Sequence, residues 1–111
     1  MTDSPGTTQV IERYFALAET SDIEAFLAQF SGDAVVSDDG HRRVGTNALR
    51  EWRTTVPQVT YRLRHVEPTR GGGRAVAEIA GDFPGSPVDL AFAFTLDGAM
   101  IRELTISPVT A

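Results

Sequence analysis

Apolar residues recur every three or four positions through the first half of this chain and at every second position through the rest. Val10, Ile11, Tyr14, Phe15 and Ala18 share one face of a predicted first helix, with Gln9, Glu12, Arg13 and Glu19 on the other. Ser4 is the expected N-cap, with Pro5 in the first turn, where a missing N–H is tolerated. Asp22 reads as the cap of a second helix, in which Ile23, Phe26, Leu27 and Phe30 form a stripe before Ser31-Gly32-Asp33 ends it. A short strand over about 33–38 and a turn at Gly40 follow. Thr46 or Asn47 is expected to cap a third helix that carries Leu49, Trp52 and Val56 on one side, with Pro57 closing it.

From residue 58 the period falls to two. Val59, Tyr61, Leu63 and His65 alternate with Thr60, Arg62 and Arg64, and Ala75, Ala77 and Ile79 with Val76, Glu78 and Ala80. Arg70-Gly71-Gly72-Gly73-Arg74 reads as a flexible hairpin connection between them. Two prolines interrupt Asp82-Phe83-Pro84-Gly85-Ser86-Pro87, and Val88, Leu90, Phe92, Phe94 and Leu96 then form the cleanest strand face. Asp97-Gly98 is a strong hairpin signal before a last strand from Met100 to Ser107. The layout is α+β: three N-terminal helices packed on a curved antiparallel sheet that closes into a cone with an internal pocket. Nothing divides the 111 residues, so a single domain spanning 1–111 is expected.

Composition narrows the function classes. Cysteine is absent, which excludes disulfides, thiolate metal sites and a cysteine nucleophile. The formal charge of −5 argues against nucleic acid as a partner. All ten basic residues are arginine, so Schiff-base chemistry on lysine is excluded. No apolar run approaches the roughly 20 residues of a membrane span. Met1 to Gly6 is neither basic nor apolar and so is no signal peptide; a cytoplasmic location is the expectation.

The candidate chemistry gathers around the end of the first strand. Asp38 and Asp39 follow an apolar run. Asp38 either faces the hollow or is a solvent-facing strand-end or turn residue, and because strand neighbours point opposite ways, Asp38 facing the hollow leaves Asp39 facing out. Tyr14, on the apolar face of the first helix, can point into the same hollow or be a core tyrosine. His41 is a candidate acid–base group or hydrogen-bond donor, or simply an exposed loop histidine. Asp38, Asp39 and His41 lie within four residues with no further cluster, so no metal is expected. Trp52, Tyr61, Phe92 and Phe15 are the expected apolar lining, with plain core packing the competing reading for Trp52. Arg62 and Arg64 share a solvated strand face. The glycine-rich run at 70–74 lacks the Gly-Lys-Ser/Thr ending of a phosphate loop. Asp82 to Pro87 is either a lip over the hollow or a bent connection.

The run Arg13-Tyr14-x-x-Leu17, then Asp22, then Asp33-Ala34-x-Val36-x-Asp38, with Gly45 before a helix, resembles the ketosteroid isomerases. More broadly it resembles the NTF2-like superfamily and its SnoaL-like polyketide cyclase branch. The match covers about residues 10–56; beyond them the strand pattern and the Leu96-Asp97 turn agree. The resemblance implies a cystatin-like cone, no cofactor, and a small apolar carbonyl compound as ligand. It implies Asp38 as the proton-shuttling base and Tyr14 as the donor to the developing enolate oxygen. At the position of the family's second acid this chain has Phe92. The nearest acid, Asp89, is three residues away and so on the opposite strand face, which argues against steroid isomerisation. Two classes follow: an isomerase or cyclase working by acid–base catalysis, or a non-catalytic ligand-binding or dimerisation module of the same fold. Val76 and Ala80, opposite Ala75, Ala77 and Ile79, make both faces of one strand apolar. A homodimer through the outer face is therefore expected.

Overall fold

Two helices, a hairpin, a third helix and four long strands follow one another in the computed structural model, which describes residues 6–38, 40–56 and 59–109. They are α1 (Thr7–Ala18), α2 (Ile23–Leu27), β1 (Phe30–Asp38), β2 (His41–Val44), α3 (Thr46–Thr55), β3 (Val59–Thr69), β4 (Gly72–Gly81), β5 (Val88–Asp97) and β6 (Met100–Pro108). The expected roles of Ser4 and Pro5 at the first helix, of Asp39 and of Pro57 fall outside the described residues. Among the described residues no helix is long and apolar enough to cross a membrane.

The strands form one curved sheet in the order β2-β1-β6-β5-β4-β3. Two parts of the expected layout need correction. The sheet is mixed, because β1 runs parallel to β6, with Val36 opposite Leu104 and Asp38 opposite Ile106. The whole β3–β5 meander serves as the crossover that parallel neighbours require. Nor are all three helices N-terminal to the sheet, since α3 follows the β1–β2 hairpin.

The α1 stripe is buried as its periodicity predicts: Val10, Ile11, Tyr14, Phe15 and Ala18 all face the sheet. Gln9 reaches back to accept the Gly6 N–H at 3.1 Å, satisfying one of the free donors at the helix start. Asp22 caps α2, accepting from the Ala25 N–H at 3.1 Å. That helix ends at Leu27, and Phe30 begins β1 instead of completing a helical stripe. Strand pairing decides this: Ile101 N–H donates to the Gln29 carbonyl at 2.9 Å and Phe30 pairs with Ile101. Neither Thr46 nor Asn47 caps α3. Gly45 does, at φ 89°, a left-handed conformation open to glycine, with its N–H bonded to the Ala34 carbonyl at 2.9 Å.

The connection expected at residues 70–74 is a tight Arg70-Gly71 turn, and Gly72 and Gly73 belong to β4. At Gly73 α1 packs closely on β4: a methyl group there would sit 2.8 Å from Ile11 Cδ1. On the outer face, a register slip between Leu63 and His65 turns Arg64 toward Glu78 at 2.8 Å and Asp89 at 3.1 Å. Arg62 stays exposed.

Candidate functional site

Asp38 is the last residue of β1 and follows Ala34 and Val36 on the inward face, both fully buried. Alternation therefore aims its carboxylate over the concave side of the sheet. Leu49 and Trp52, one turn apart on α3, are the buried residues of that helix. Trp52 donates its Nε1–H to Asp38 Oδ2 at 2.9 Å. The bond fixes the carboxylate; its other oxygen makes no hydrogen bond among the described residues.

Asp38, Tyr14, Trp52 and Tyr61 line one hollow of about 170 Å³. The remaining wall is almost wholly apolar, with Val59, Ile79, Leu90 and Phe92 from the sheet and Val56 after α3. Phe83 and Val88 close one side, so the proline-bearing connection at 82–87 contributes to the wall. Among the described residues Arg53 is the only cation in the lining.

Tyr14 is 1 % exposed and sits inside an aromatic cage, with ring centroids 5.0 Å from Phe15, 5.3 Å from Phe94 and 5.5 Å from Phe26. Burial pushes its hydroxyl well above the ordinary phenol range. Tyr61 and, more weakly, Asp38 add to this, while Arg53 acts against it. At neutral pH Tyr14 is therefore a neutral hydrogen-bond donor and not a base.

The other sequence candidates fall around this centre. Phe92 stands in the wall, edge-on to Phe15 at 4.8 Å. Phe15 itself is buried behind the lining and touches Tyr61 at 5.8 Å between centroids. His41 faces Asp38 across the β1–β2 hairpin but is exposed and outside the lining. Asp89 points to the outer face, where it meets Arg64, so the odd offset from Phe92 has the geometric consequence expected of it. Among the described residues no group of three or more acidic, histidine or cysteine side chains converges.

Arg53 is the residue that pattern reading missed. On α3 it follows the buried Trp52 and reads as part of the polar face. Tertiary packing instead lays its guanidinium over the Phe26 ring at 4.3 Å and within 5.3 Å of the Trp52 ring. Its Nη2 donates to the Ala18 carbonyl at 3.1 Å.

A search of curated protein sequences found no match. Solved structures do match. A candidate polyketide cyclase from Sinorhizobium meliloti is 28% identical, with a TM-score of 0.84 over 89% of this chain and 94% of that one. A hypothetical protein with a ketosteroid isomerase-like fold from Catenulispora acidiphila, solved with trimethylamine, is 16% identical (TM-score 0.79, 91% and 85% covered). The epoxide hydrolase/cyclase-like enzyme SalBIII, of pyran ring formation in the polyether salinomycin, is 20% identical (TM-score 0.78, 94% and 91% covered). The last two share the NTF2-like fold with this chain. A family model described as the SnoaL-like domain matches residues 11–104, and the chain belongs to that family.

Proposed function

We propose that this protein binds a small apolar carbonyl compound in the hollow and moves a proton on the carbon next to the carbonyl, in an isomerase- or cyclase-type reaction. Asp38 is the base and Tyr14 the donor to the carbonyl oxygen. His41, exposed beside the hairpin, is an auxiliary polar group at the mouth with no step assigned to it. One observation carries the reading: Asp38 and Tyr14 line the same apolar hollow, and Trp52 holds one carboxylate oxygen so that the other is available to a substrate. A positioned carboxylate and a preorganised neutral donor are the two parts that enolisation needs. A cavity of about 150 Å³ holds one benzene-sized ring, so the hollow suits a single ring or a short branched chain better than a fused steroid. The similarity to a candidate polyketide cyclase and to an epoxide hydrolase/cyclase-like enzyme supports the cyclase side of this reading.

Phe92 in the wall favours a second reading, a non-catalytic ligand-binding module, because among the described residues no acid other than Asp38 lines the hollow. Proton exchange separates the two. Acetophenone and related ketones incubated with the protein in D₂O are expected to lose their α-proton NMR signals faster than in buffer. Ketones that raise the melting temperature without any faster exchange would establish the binding module instead. Native mass spectrometry of the freshly purified protein identifies any ligand carried along.

The proposal includes a homodimer through the outer sheet face. There Val76 and Ala80 are half-buried and Ala91 is buried, beside the Arg64–Glu78–Asp89 cluster. Sedimentation velocity at micromolar concentration is expected to give a dimer. A monomer from micromolar to millimolar concentrations overturns this part.

A further inference from the structure

We infer that Arg53 anchors an acidic group on the ligand, so that the protein selects carbonyl compounds bearing a carboxylate over their neutral counterparts. The inference rests on the hollow being the ligand site and adds the substrate class.

A second cavity, a groove of about 340 Å³, runs between the end of α1, α2 and α3. Arg53, Val56 and Val59 belong to both linings, so they form the partition between hollow and groove. The two spaces differ in character. The hollow is apolar apart from Asp38, the two tyrosines, Trp52 and Arg53. The groove carries Thr20, Ser21 and Thr54 among its walls and opens to solvent.

Charge accounting then singles out one residue. The groove lining holds two cations, Arg50 and Arg53. Arg50 is paired with Glu24 across the groove. Asp22, the acid in the lining, spends one carboxylate oxygen on the Ala25 N–H at the start of α2. On the hollow side Asp38 is bonded to Trp52. Arg53 forms no ion pair among the described residues, and of its five N–H donors only one, on Nη2, is engaged there, by the Ala18 carbonyl. A half-buried guanidinium held over an aromatic ring, with most of its donors open among the described residues, is preorganised for a planar carboxylate. Arg53 and Tyr14 line the same hollow, so the cation shares that space with a carbonyl held at Tyr14.

Ligand size points the same way. One ring fills the hollow, and a longer ligand that extends toward the groove meets Arg53 at the partition. A ligand of this class has an apolar ring or chain against Phe92 and Leu90, its carbonyl at Tyr14, and a carboxylate a few atoms further on.

The test uses 3-benzoylpropanoate, which has a phenyl ketone and a carboxylate two methylenes beyond it, against its neutral methyl ester. Isothermal titration of the intact protein at low salt is expected to show the acid bound about 10- to 100-fold more tightly, the range for a charge-assisted pair. The difference should shrink as salt rises. Arg53→Gln should remove the preference for the acid while still binding the ester, which also reports that the variant is folded. Asp38→Asn should keep the preference. Equal binding of acid and ester by the unaltered protein overturns the anchor and leaves the ketone site standing, and so does a preference that survives in Arg53→Gln. Binding of neither compound overturns both.

Discussion

Asp38→Asn is expected to lower α-proton exchange by about 10²–10⁴-fold, the contribution typical of a positioned general base, while folding and ligand binding survive. Asparagine has the shape of aspartate, and its side-chain carbonyl can still accept the Trp52 Nε1–H that Asp38 Oδ2 accepts at 2.9 Å. What it lacks is a basic oxygen facing the hollow. Tyr14→Phe belongs in the same experiment. It keeps the ring inside the cage of Phe15, Phe26 and Phe94 and removes only the hydroxyl. The loss of one donor to the developing oxyanion is expected to cost roughly 10–10³-fold, less than the loss of the base. Both variants should melt close to the unaltered protein. Exchange in Asp38→Asn at the unaltered rate shows that another group takes the proton, and the assignment of Asp38 then fails.

That Tyr14 and Asp38 share one side of the sheet was legible because two separate periodicities reach them. Tyr14 sits in an unbroken helical stripe, and Asp38 ends a strand whose inward positions are Ala34 and Val36, so two independent patterns aim both side chains at one side of the sheet. The parallel pairing of β1 with β6 was not legible, because strand alternation states which face is buried and says nothing about which strand lies alongside. Strand β2 escaped for a related reason: His41-Arg42-Arg43-Val44 lies at the sheet edge, mostly exposed, with no apolar alternation to mark it. Phe30 fits a helical stripe and a strand equally well, and only the bonds to Ile101 decide between them. Arg53 was invisible because its helical position is polar by pattern. Its place in the wall comes from Phe26 of α2, a contact that no local rule contains.

The second large effect is on stability and comes from the run Gly71-Gly72-Gly73, where flexibility is the natural reading of the sequence and close packing is what the fold uses. Gly72→Ala is expected to destabilise the protein by about 3 kcal/mol or more, the upper part of the range for overpacking. An added Cβ at Gly72 would lie 1.8 Å from the Phe94 carbonyl oxygen and 2.8 Å from its carbon. Both are backbone atoms of the neighbouring strand, so no side chain can swing aside; β4 and β5 must separate where Gly72 pairs with Thr95. Gly73→Ala meets Ile11 Cδ1 at 2.8 Å and Thr7 Cγ2 at 3.0 Å, both side-chain tips, and a backbone atom, the Glu67 carbonyl oxygen, only at 3.3 Å, so its cost should be nearer about 1 kcal/mol. Gly32→Ala meets nothing within 4 Å and should stay within about 0.5 kcal/mol of neutral. Thermal denaturation is expected to rank the three in that order, with Gly72→Ala lowered by on the order of 10 °C or more. The β4–β5 ladder runs from Gly72 and Thr95 at one end to Ile79 and Val88 at the hollow. Protein that remains folded at low temperature should therefore keep its ligand affinity. Equal melting of Gly72→Ala and Gly32→Ala would show that the two strands do not approach as closely here as the backbone contact requires.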